Sequence, residues 1–507
     1  MLFSSWIFVA AFLPVVWLTF RFLQRRRMGE AALLWLIAAS LFFYGWFKPV
    51  YVFILLVSIG FNFTLGTQLA RQHLKKSKRK TYLVFGIAAN LAALGYYKYA
   101  GLFFETLNAM GVEHGVPQIL LPLAISFFTF QQIAYLVDAY RGETKEFNFR
   151  HYALFVTFFP QLIAGPIVHH KEMIPQFIEK LGKLTSRRML AMGLTVFVIG
   201  LFKKLAIADY MGDIADPVFA AAALRQSLTV FEAWVGMVAY TLQIYFDFSG
   251  YSDMAVGLGA LFGIRLPLNF FSPYKSGNII EFWRRWHITL SRFLRDYLYI
   301  PLGGNRKGGA RRYANLMVTM LLGGLWHGAG WTFMAWGGLH GFYLIVNHAW
   351  RKFSAIRLPH ILAVALTFLS VALAWVFFRA DSFATAGHIL NCATGKYGIA
   401  LLHTDNWMTA VLETLGFEVK QSATRLLRLN EKWYIFWLAL LAVFFAPSTH
   451  ELMRKNIALD ITKVAEALKQ PRFVWRASPS WAVVIGLMAA IAALLLMRVN
   501  AFIYFQF

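Results

Sequence analysis

The sequence predicts an all-α protein that crosses a membrane several times. Hydrophobic residues make up 59% of its 507 residues and charged residues only 14%, whereas soluble domains carry about a quarter charged residues. The mean hydropathy is +0.55. Apolar runs close to the roughly 20 residues of a spanning helix recur from one end to the other. These observations predict a single membrane domain over residues 1–507, with about 10–12 spanning or re-entrant segments.

The predicted segments are separated by polar connections, many of them short and basic. The first, at about residues 2–23, is followed by Arg25, Arg26 and Arg27, which reverses the charge order of a cleavable signal peptide. Because cytoplasmic loops are enriched in Lys and Arg, we predict a periplasmic N-terminus in a cell inner membrane. The segments are predicted at about residues 2–23, 31–47, 50–70, 82–100, 118–138, 151–168, 189–208, 229–247, 254–270, 314–349, 360–378, 433–446 and 481–497.

Two of these segments do not fit a single span. Residues 151–168 are few and have basic residues on both sides, so a re-entrant hairpin is expected there. Residues 314–349 are long enough for two short segments or a hairpin. The longest polar connection is predicted at 380–432, and no repeat of fixed period is evident.

The net charge of +25 comes from 49 Lys and Arg against 24 Asp and Glu. In a soluble protein such an excess suggests nucleic acid as a partner. Here the basic residues stand mostly in short runs between apolar stretches, which indicates cytoplasmic loops facing anionic lipid, and no nucleic acid. The single cysteine, Cys392, excludes an intramolecular disulfide and a cysteine-based metal cluster. We expect no metal site.

Polar clusters interrupt the apolar pattern between about 240 and 350, and polar residues at membrane depth suggest functional positions. The first cluster runs from Gln243 to Asp253 and carries two carboxylates and two serines. Asp247 and Asp253 are expected to cap helix ends or to pair with arginines, because Asp, Ser and Gly together are common where a helix breaks. A direct role on the substrate path is the alternative.

The second cluster, from Glu281 to Tyr299, is predicted to be one helix at the membrane interface. Glu281 and Arg285 form a favourable i, i+4 pair. The arginines predict either an interfacial anchor or a platform for the phosphates of an acyl donor. His287 lies off the aromatic face and could equally be structural. The aromatic face comprises Phe282, Trp286, Thr289, Phe293 and Tyr297, and the arginines are Arg284, Arg285, Arg292 and Arg295.

The loop after this cluster combines several glycines with Asn305, Arg306 and Lys307. We predict a flexible, cytoplasmic basic loop of the kind that can cradle phosphate. Its sequence does not match the phosphate-binding loop of nucleotide hydrolases, so that activity has no support.

The third cluster places His327 after Trp326 and beside glycines, with Trp336 and His340 following. Small residues allow helices to approach closely in a membrane. An imidazole can act as a general base near neutral pH, and the glycines leave room for a substrate. From the spacing alone, a catalytic and a structural role for His327 are equally open.

These motifs together resemble the membrane-bound O-acyltransferase (MBOAT) superfamily, and within it the bacterial alginate O-acetylase-like branch. The resemblance spans nearly the whole chain, with core motifs at about 120–345 and the least typical part at about 380–480. The matching stretches are residues 123–138, 159–167, 247–255, 282–287, 301–306, 324–328 and 502–507.

The resemblance implies a ring of tilted helices around a central tunnel, with the signature histidine where two access routes meet. That histidine falls on His327, which would be the catalytic base. The second characteristic histidine falls on His287, which would position or hold the donor. Further residues expected on the path of the substrate or donor are Trp326, Arg285, Asp247, Asp253 and Asn305.

The resemblance also implies a reaction. An acetyl group passes from a cytoplasmic donor, acetyl-CoA, to an extracytoplasmic polysaccharide, with alginate-like polymers foremost and cellulose or peptidoglycan as alternatives. No resident cofactor is expected, and a separate periplasmic acetyltransferase is the expected partner. Other readings stay open: a transporter in which His327 relays protons, D-alanyl transfer to teichoic acid, or a scaffold for polymer export.

Overall fold

The computed structural model describes residues 1–71, 74–144, 148–396, 399–400, 414, 419–420, 433–453 and 474–497. The prediction of an all-α membrane protein is confirmed. Besides helices, these residues contain two paired two-residue strands, β1 (Ile399–Ala400) and β2 (Val419–Lys420). The motif at 502–507 and much of the less typical region at 380–480 lie outside the described residues.

The helices follow one another along the whole described chain. In the first part they are α1 (Leu13–Arg25), α2 (Gly29–Gly45), α3 (Val50–Ala70), α4 (Lys76–Leu94), α5 (Ala100–Ala109), α6 (Ile125–Arg141), α7 (Phe149–Thr157), α8 (Phe159–Leu162), α9 (His170–Lys180) and α10 (Arg187–Phe202). They continue with α11 (Asp209–Ala223), α12 (Val230–Leu261), α13 (Ile279–Arg285), α14 (Ile288–Leu294), α15 (Gly309–His327), α16 (Trp331–Phe353), α17 (His360–Arg379), α18 (Phe383–Ala393), α19 (Trp433–Phe445), α20 (Thr449–Met453) and α21 (Pro479–Leu495). Wider π-helical turns occupy Phe8–Phe12, Gly95–Tyr99, Lys203–Ala208 and Arg295–Tyr299, and a 3-10 turn occupies Pro273–Lys275.

Contacts within the chain define two compact units. Of the described residues, the first unit takes Met1–Leu201, Tyr251–Asn269 and the stretch that begins at Thr449. The second takes Phe202–Gly250 and Phe270–Ser448. A single membrane domain over the whole chain stays a prediction.

Several helices are long and apolar enough to span a bilayer, and each overlaps a segment predicted from sequence. Those in the described residues are Phe8–Arg25, Val50–Ala70, Arg187–Ala223 and His360–Arg379, and shorter apolar helices occupy Gly29–Gly45, Trp433–Phe445 and Pro479–Leu495. The total number of spans and the side of the N-terminus stay predictions.

The predicted helix break between Asp247 and Asp253 is wrong. α12 runs through both residues without interruption from Val230 to Leu261. Both aspartates are at least 98% buried, and each has an ion-pair partner from another element. Because tertiary partners satisfy the carboxylates, they do not have to end the helix or pair with arginines.

The predicted single helix from Glu281 to Tyr299 is also wrong. α13 ends at Arg285, Trp286 is extended, and α14 begins at Ile288. Between them His287 adopts the left-handed conformation, with φ 43° and ψ 53°. The aromatic spacing resembled one helical face, but burial of Trp286 and His287 outweighs local helix preference.

The stretch predicted at 314–349 forms two helices, α15 and α16, joined by a turn at residues 328–330. Glycines allow the close approach. A Cβ on Gly324 would lie 2.3 Å from the backbone oxygen of Phe333, and one on Gly328 would lie 2.2 Å from the Phe333 ring. The prediction that small residues pack helices closely here is confirmed.

Candidate functional site

His327 ends α15 and lies inside an aromatic enclosure of the second unit. It is only 5% exposed. The ring centroids of Trp326, Trp336 and Phe378 lie 4.8, 5.1 and 5.4 Å from that of His327. Because these rings exclude bulk water, charge interactions at this imidazole are stronger than they are at a solvated site.

His287 faces the same enclosure from the break between α13 and α14. It is fully buried, and Phe248 meets it edge to face with centroids 4.8 Å apart. The rings of His287 and His327 are 6.1 Å apart between centroids. Since a ring nitrogen lies close to its centroid, this separation keeps the two imidazoles beyond direct hydrogen-bond distance. A small polar group between them can contact both.

A third histidine, His340 of α16, extends this cluster. The indole Nε1 of Trp283 donates to Nδ1 of His340 at 3.3 Å, which assigns the ring proton of the neutral imidazole to Nε2. Trp336 lies between His327 and His340, with centroid distances of 5.1 and 4.9 Å. In the described part of the chain, Nε2 of His340 has no hydrogen-bond partner.

Arg285 lies two residues before His287 and is 95% buried. It forms the predicted pair with Glu281, and its backbone oxygen accepts from the Phe271 amide at 3.0 Å. Its Nη1 is buried and has no hydrogen-bond partner among the described residues. The guanidinium therefore retains a donor for a group that enters this part of the unit.

The structure brings some predicted site residues together and separates others. His287, His327 and Trp326 share one enclosure, since Trp326 lies 6.1 Å from His287 between ring centroids. Asn305 is exposed in the loop that precedes α15. It is thus outside the buried cluster.

Asp247 belongs to a buried ion-pair cluster in the second unit. The amine of Lys204 lies 2.7 Å from the Asp247 Oδ1 and 2.7 Å from the Asp209 Oδ1. All three side chains are buried. Sequence reasoning missed Lys204, although a lysine inside the predicted segment 189–208 was a detectable signal.

Asp253 belongs to the first unit, where it joins α12 to α20. Its Oδ1 lies 3.0 Å from His450 Nε2, and the Thr449 hydroxyl donates to its Oδ2 at 2.6 Å. Nothing in the sequence pointed to this pairing, since the partners are almost 200 residues apart.

The aromatic wall of the site was also missed. Trp336 and His340 were part of a noted motif but received no role. Phe248 and Phe378 lie on apolar helices, where the sequence does not distinguish a phenylalanine that lines the site from one that faces lipid or another helix. Only tertiary packing reveals their position.

The region that contains these histidines also matches known proteins. Residues 144–380, which include all three histidines, match the model of the membrane-bound O-acyltransferase family. The chain is 46% identical to the peptidoglycan O-acetyltransferase of Helicobacter pylori over 80% of its own length and 81% of that protein. It is 42% identical to the "Probable alginate O-acetylase" of Pseudomonas aeruginosa, over 76% and 73% respectively. It is 30% identical to the teichoic acid D-alanyltransferase of Streptococcus thermophilus, over 51% of its own length and 65% of that protein.

Proposed function

The chain belongs to the membrane-bound O-acyltransferase family, and from this premise we propose that it transfers acetyl groups from cytoplasmic acetyl-CoA for O-acetylation of an extracytoplasmic polysaccharide. Similarity over most of the chain to proteins named for peptidoglycan and alginate acetylation supports a polysaccharide acceptor. The observation that carries the proposal is the enclosure of His327 beside His287.

His327 acts as the general base of the transfer. It takes the proton of the attacking hydroxyl of an acceptor or carrier reached from the periplasmic face, and that oxygen forms the ester bond to the thioester carbonyl carbon. The carbon–sulfur bond then breaks, and the thiolate of CoA recovers the proton from His327. A base placed in this way contributes about 10²–10⁴-fold to the rate. The dry aromatic surroundings support this role, because water that competes with the hydroxyl for the thioester is kept out.

His287 positions the reacting group across the 6.1 Å gap between the two rings. Trp326 fixes one side of that gap, and the buried guanidinium of Arg285 supplies a donor for an oxygen of the donor molecule. Asn305, in its exposed loop, meets the donor before it enters. Asp247 and Asp253 support the helices instead, because Lys204 pairs with Asp247, and Thr449 and His450 contact Asp253.

The protein acts in the cytoplasmic membrane, with its N-terminus in the periplasm. The charge order around the first five predicted segments supports this orientation. A separate periplasmic acetyltransferase completes the system by placing the acetyl group on the polymer. The acceptor is peptidoglycan or an alginate-like polymer, since relatives with both names are about equally similar to the chain.

The test uses the purified full-length protein in liposomes with acetyl-labelled acetyl-CoA. We expect thioester consumption, with label moving to protein or to an added polysaccharide, and loss of this activity in His327→Ala. The matched control is His114→Ala, which removes an exposed histidine. Full activity in His327→Ala would refute the assignment of the base.

The same preparation separates the alternative functions. Consumption of a D-alanyl donor but not of acetyl-CoA would instead support D-alanyl transfer, for which the similarity covers a smaller part of the chain. Solute flux without thioester consumption would indicate a transporter. If neither activity is detected, the result would support a structural scaffold for polymer export.

A further inference from the structure

An open cleft lies in the first unit where α10 begins. Its volume is about 530 Å³. The residues that line it are Arg187, Arg188 and Ala191 of α10, and Trp475, Arg476 and Ala477 of the segment that precedes α21.

The charged residues at the wall of the cleft are basic. Among the described residues that line it, three are arginines and none is acidic. Guanidinium groups make paired hydrogen bonds to phosphate oxygens. The first turn of α10 adds the positive end of a helix dipole, which also favours an anion. These residue types favour an anionic group such as a phosphate.

Most of the surface that lines the cleft is apolar. Ala191, Ala477 and Trp475 lie beside the arginines, and the exposed side chains of Leu184 and Val474 are close by in sequence, at 55% and 41% exposure. A ligand with both a phosphate and an apolar portion complements this composition better than inorganic phosphate does.

The cleft lies at one end of a membrane-spanning stretch, because the apolar helical run Arg187–Ala223 starts at its first arginine. We expect the end of such an apolar helix at the interface between lipid headgroups and water, where tryptophan and arginine are favoured. Lipid phosphates are concentrated at this depth.

We propose that this cleft binds the phosphate of an anionic phospholipid. Arg187, Arg188 and Arg476 hold the phosphate, and Trp475 packs against the adjoining apolar part of the lipid. The acyl chains continue along the apolar surface of α10. This inference is independent of the acyl-transfer chemistry.

The test measures lipid retention by native mass spectrometry of the full-length protein from nanodiscs that contain phosphatidylcholine and phosphatidylglycerol. Wild-type protein is expected to retain phosphatidylglycerol in preference to phosphatidylcholine. The triple variant R187Q/R188Q/R476Q should bind phosphatidylglycerol roughly 100-fold more weakly, because each arginine near a lipid surface contributes to the attraction of anionic lipid. The three arginines are exposed, so the variant is expected to fold.

The matched control is K76Q/K78Q/K80Q, which removes the same charge from exposed lysines at the start of α4 in the same unit. Because these lysines also face anionic lipid but do not line the cleft, this control should lose much less phosphatidylglycerol retention than the cleft variant does. Equal retention in both triple variants would overturn the proposal.

A second arm titrates free CoA into nanodiscs of phosphatidylcholine alone. Loss of CoA binding in the cleft variant, with phosphatidylglycerol retention intact, would also overturn it, because the phosphate would then come from a soluble donor.

Discussion

The imidazole rings of His287 and His327 lie 6.1 Å apart between centroids, with their planes inclined by 59°. Two helix breaks create this arrangement. His287 occupies the left-handed residue between α13 and α14, and His327 is the last residue of α15 before a glycine turn. The site therefore depends on where helices stop, and the backbone at both breaks can be tested.

At position 287, glycine is expected to give a more stable protein than alanine. The backbone there is left-handed, with φ 43°, a conformation that glycine adopts without the steric cost of a Cβ. The free energy of unfolding of His287→Gly should exceed that of His287→Ala by about 1 kcal/mol. Inside a helix the order would be reversed, because alanine is the more stable residue there. Both variants lose the ring and should lose activity. Thermal unfolding in one detergent checks the order, and a more stable alanine variant would contradict the left-handed backbone.

Gly324→Ala is expected to destabilise the α15–α16 pair. The new Cβ would lie 2.3 Å from the backbone oxygen of Phe333 and 3.1 Å from the Gly337 Cα, and backbone cannot move aside as a side chain can. We expect a loss of about 1–3 kcal/mol and reduced activity, since His327 ends the same helix. Chemical unfolding measures the loss.

The control for this change is Gly387→Ala. Gly387 lies inside α18, and a Cβ there has nothing within 4 Å. Alanine should raise helix stability by about 0.5–1 kcal/mol. Similar effects at the two glycines would show that close packing at Gly324 does not matter.

The Lys204 cluster predicts an asymmetric response to mutation. Lys204→Met leaves the carboxyl groups of Asp209 and Asp247 buried without their cation, and should cost about 3–5 kcal/mol. Asp209→Asn or Asp247→Asn leaves one lysine with one aspartate, so each should cost much less. Melting temperatures of the variants test this asymmetry. The double variant K204M/D247N should recover part of the stability that Lys204→Met loses. A mild Lys204→Met together with a severe Asp247→Asn would point to a direct role for Asp247.

Asp253→Ala is expected to release α20 from α12. The change removes the acceptor of Thr449 and the partner of His450, and hydrogen bonds to a charged group contribute about 1.5–3 kcal/mol. Amide hydrogen exchange at 449–453 should accelerate by about tenfold or more. The exposed Asp213→Ala serves as the control. Unchanged exchange with lost activity would instead place Asp253 on the substrate path.

Much of the fold was predictable because burial in lipid imposes long apolar runs. α3 and α17 coincide with the predicted segments at 50–70 and 360–378 to within a residue. Where polar residues enter the pattern, prediction failed. Asp247 and Asp253 suggested a helix break, because a sequence does not show that Lys204 and His450 lie within 3.0 Å of their carboxylates.

The chain's own sequence determined the membrane class, the order of its apolar helices and the two motifs that contain His287 and His327. These features depend on composition and local spacing, which any single chain displays. Tertiary structure alone decided that α13 ends at Arg285 and leaves His287 in a left-handed break. It also decided that Phe248 and Phe378 enclose the site and that the two histidine rings lie 6.1 Å apart between centroids. Such distances arise from packing between residues far apart in the chain, and the free energy of burying those side chains is larger than the local preferences that a sequence records.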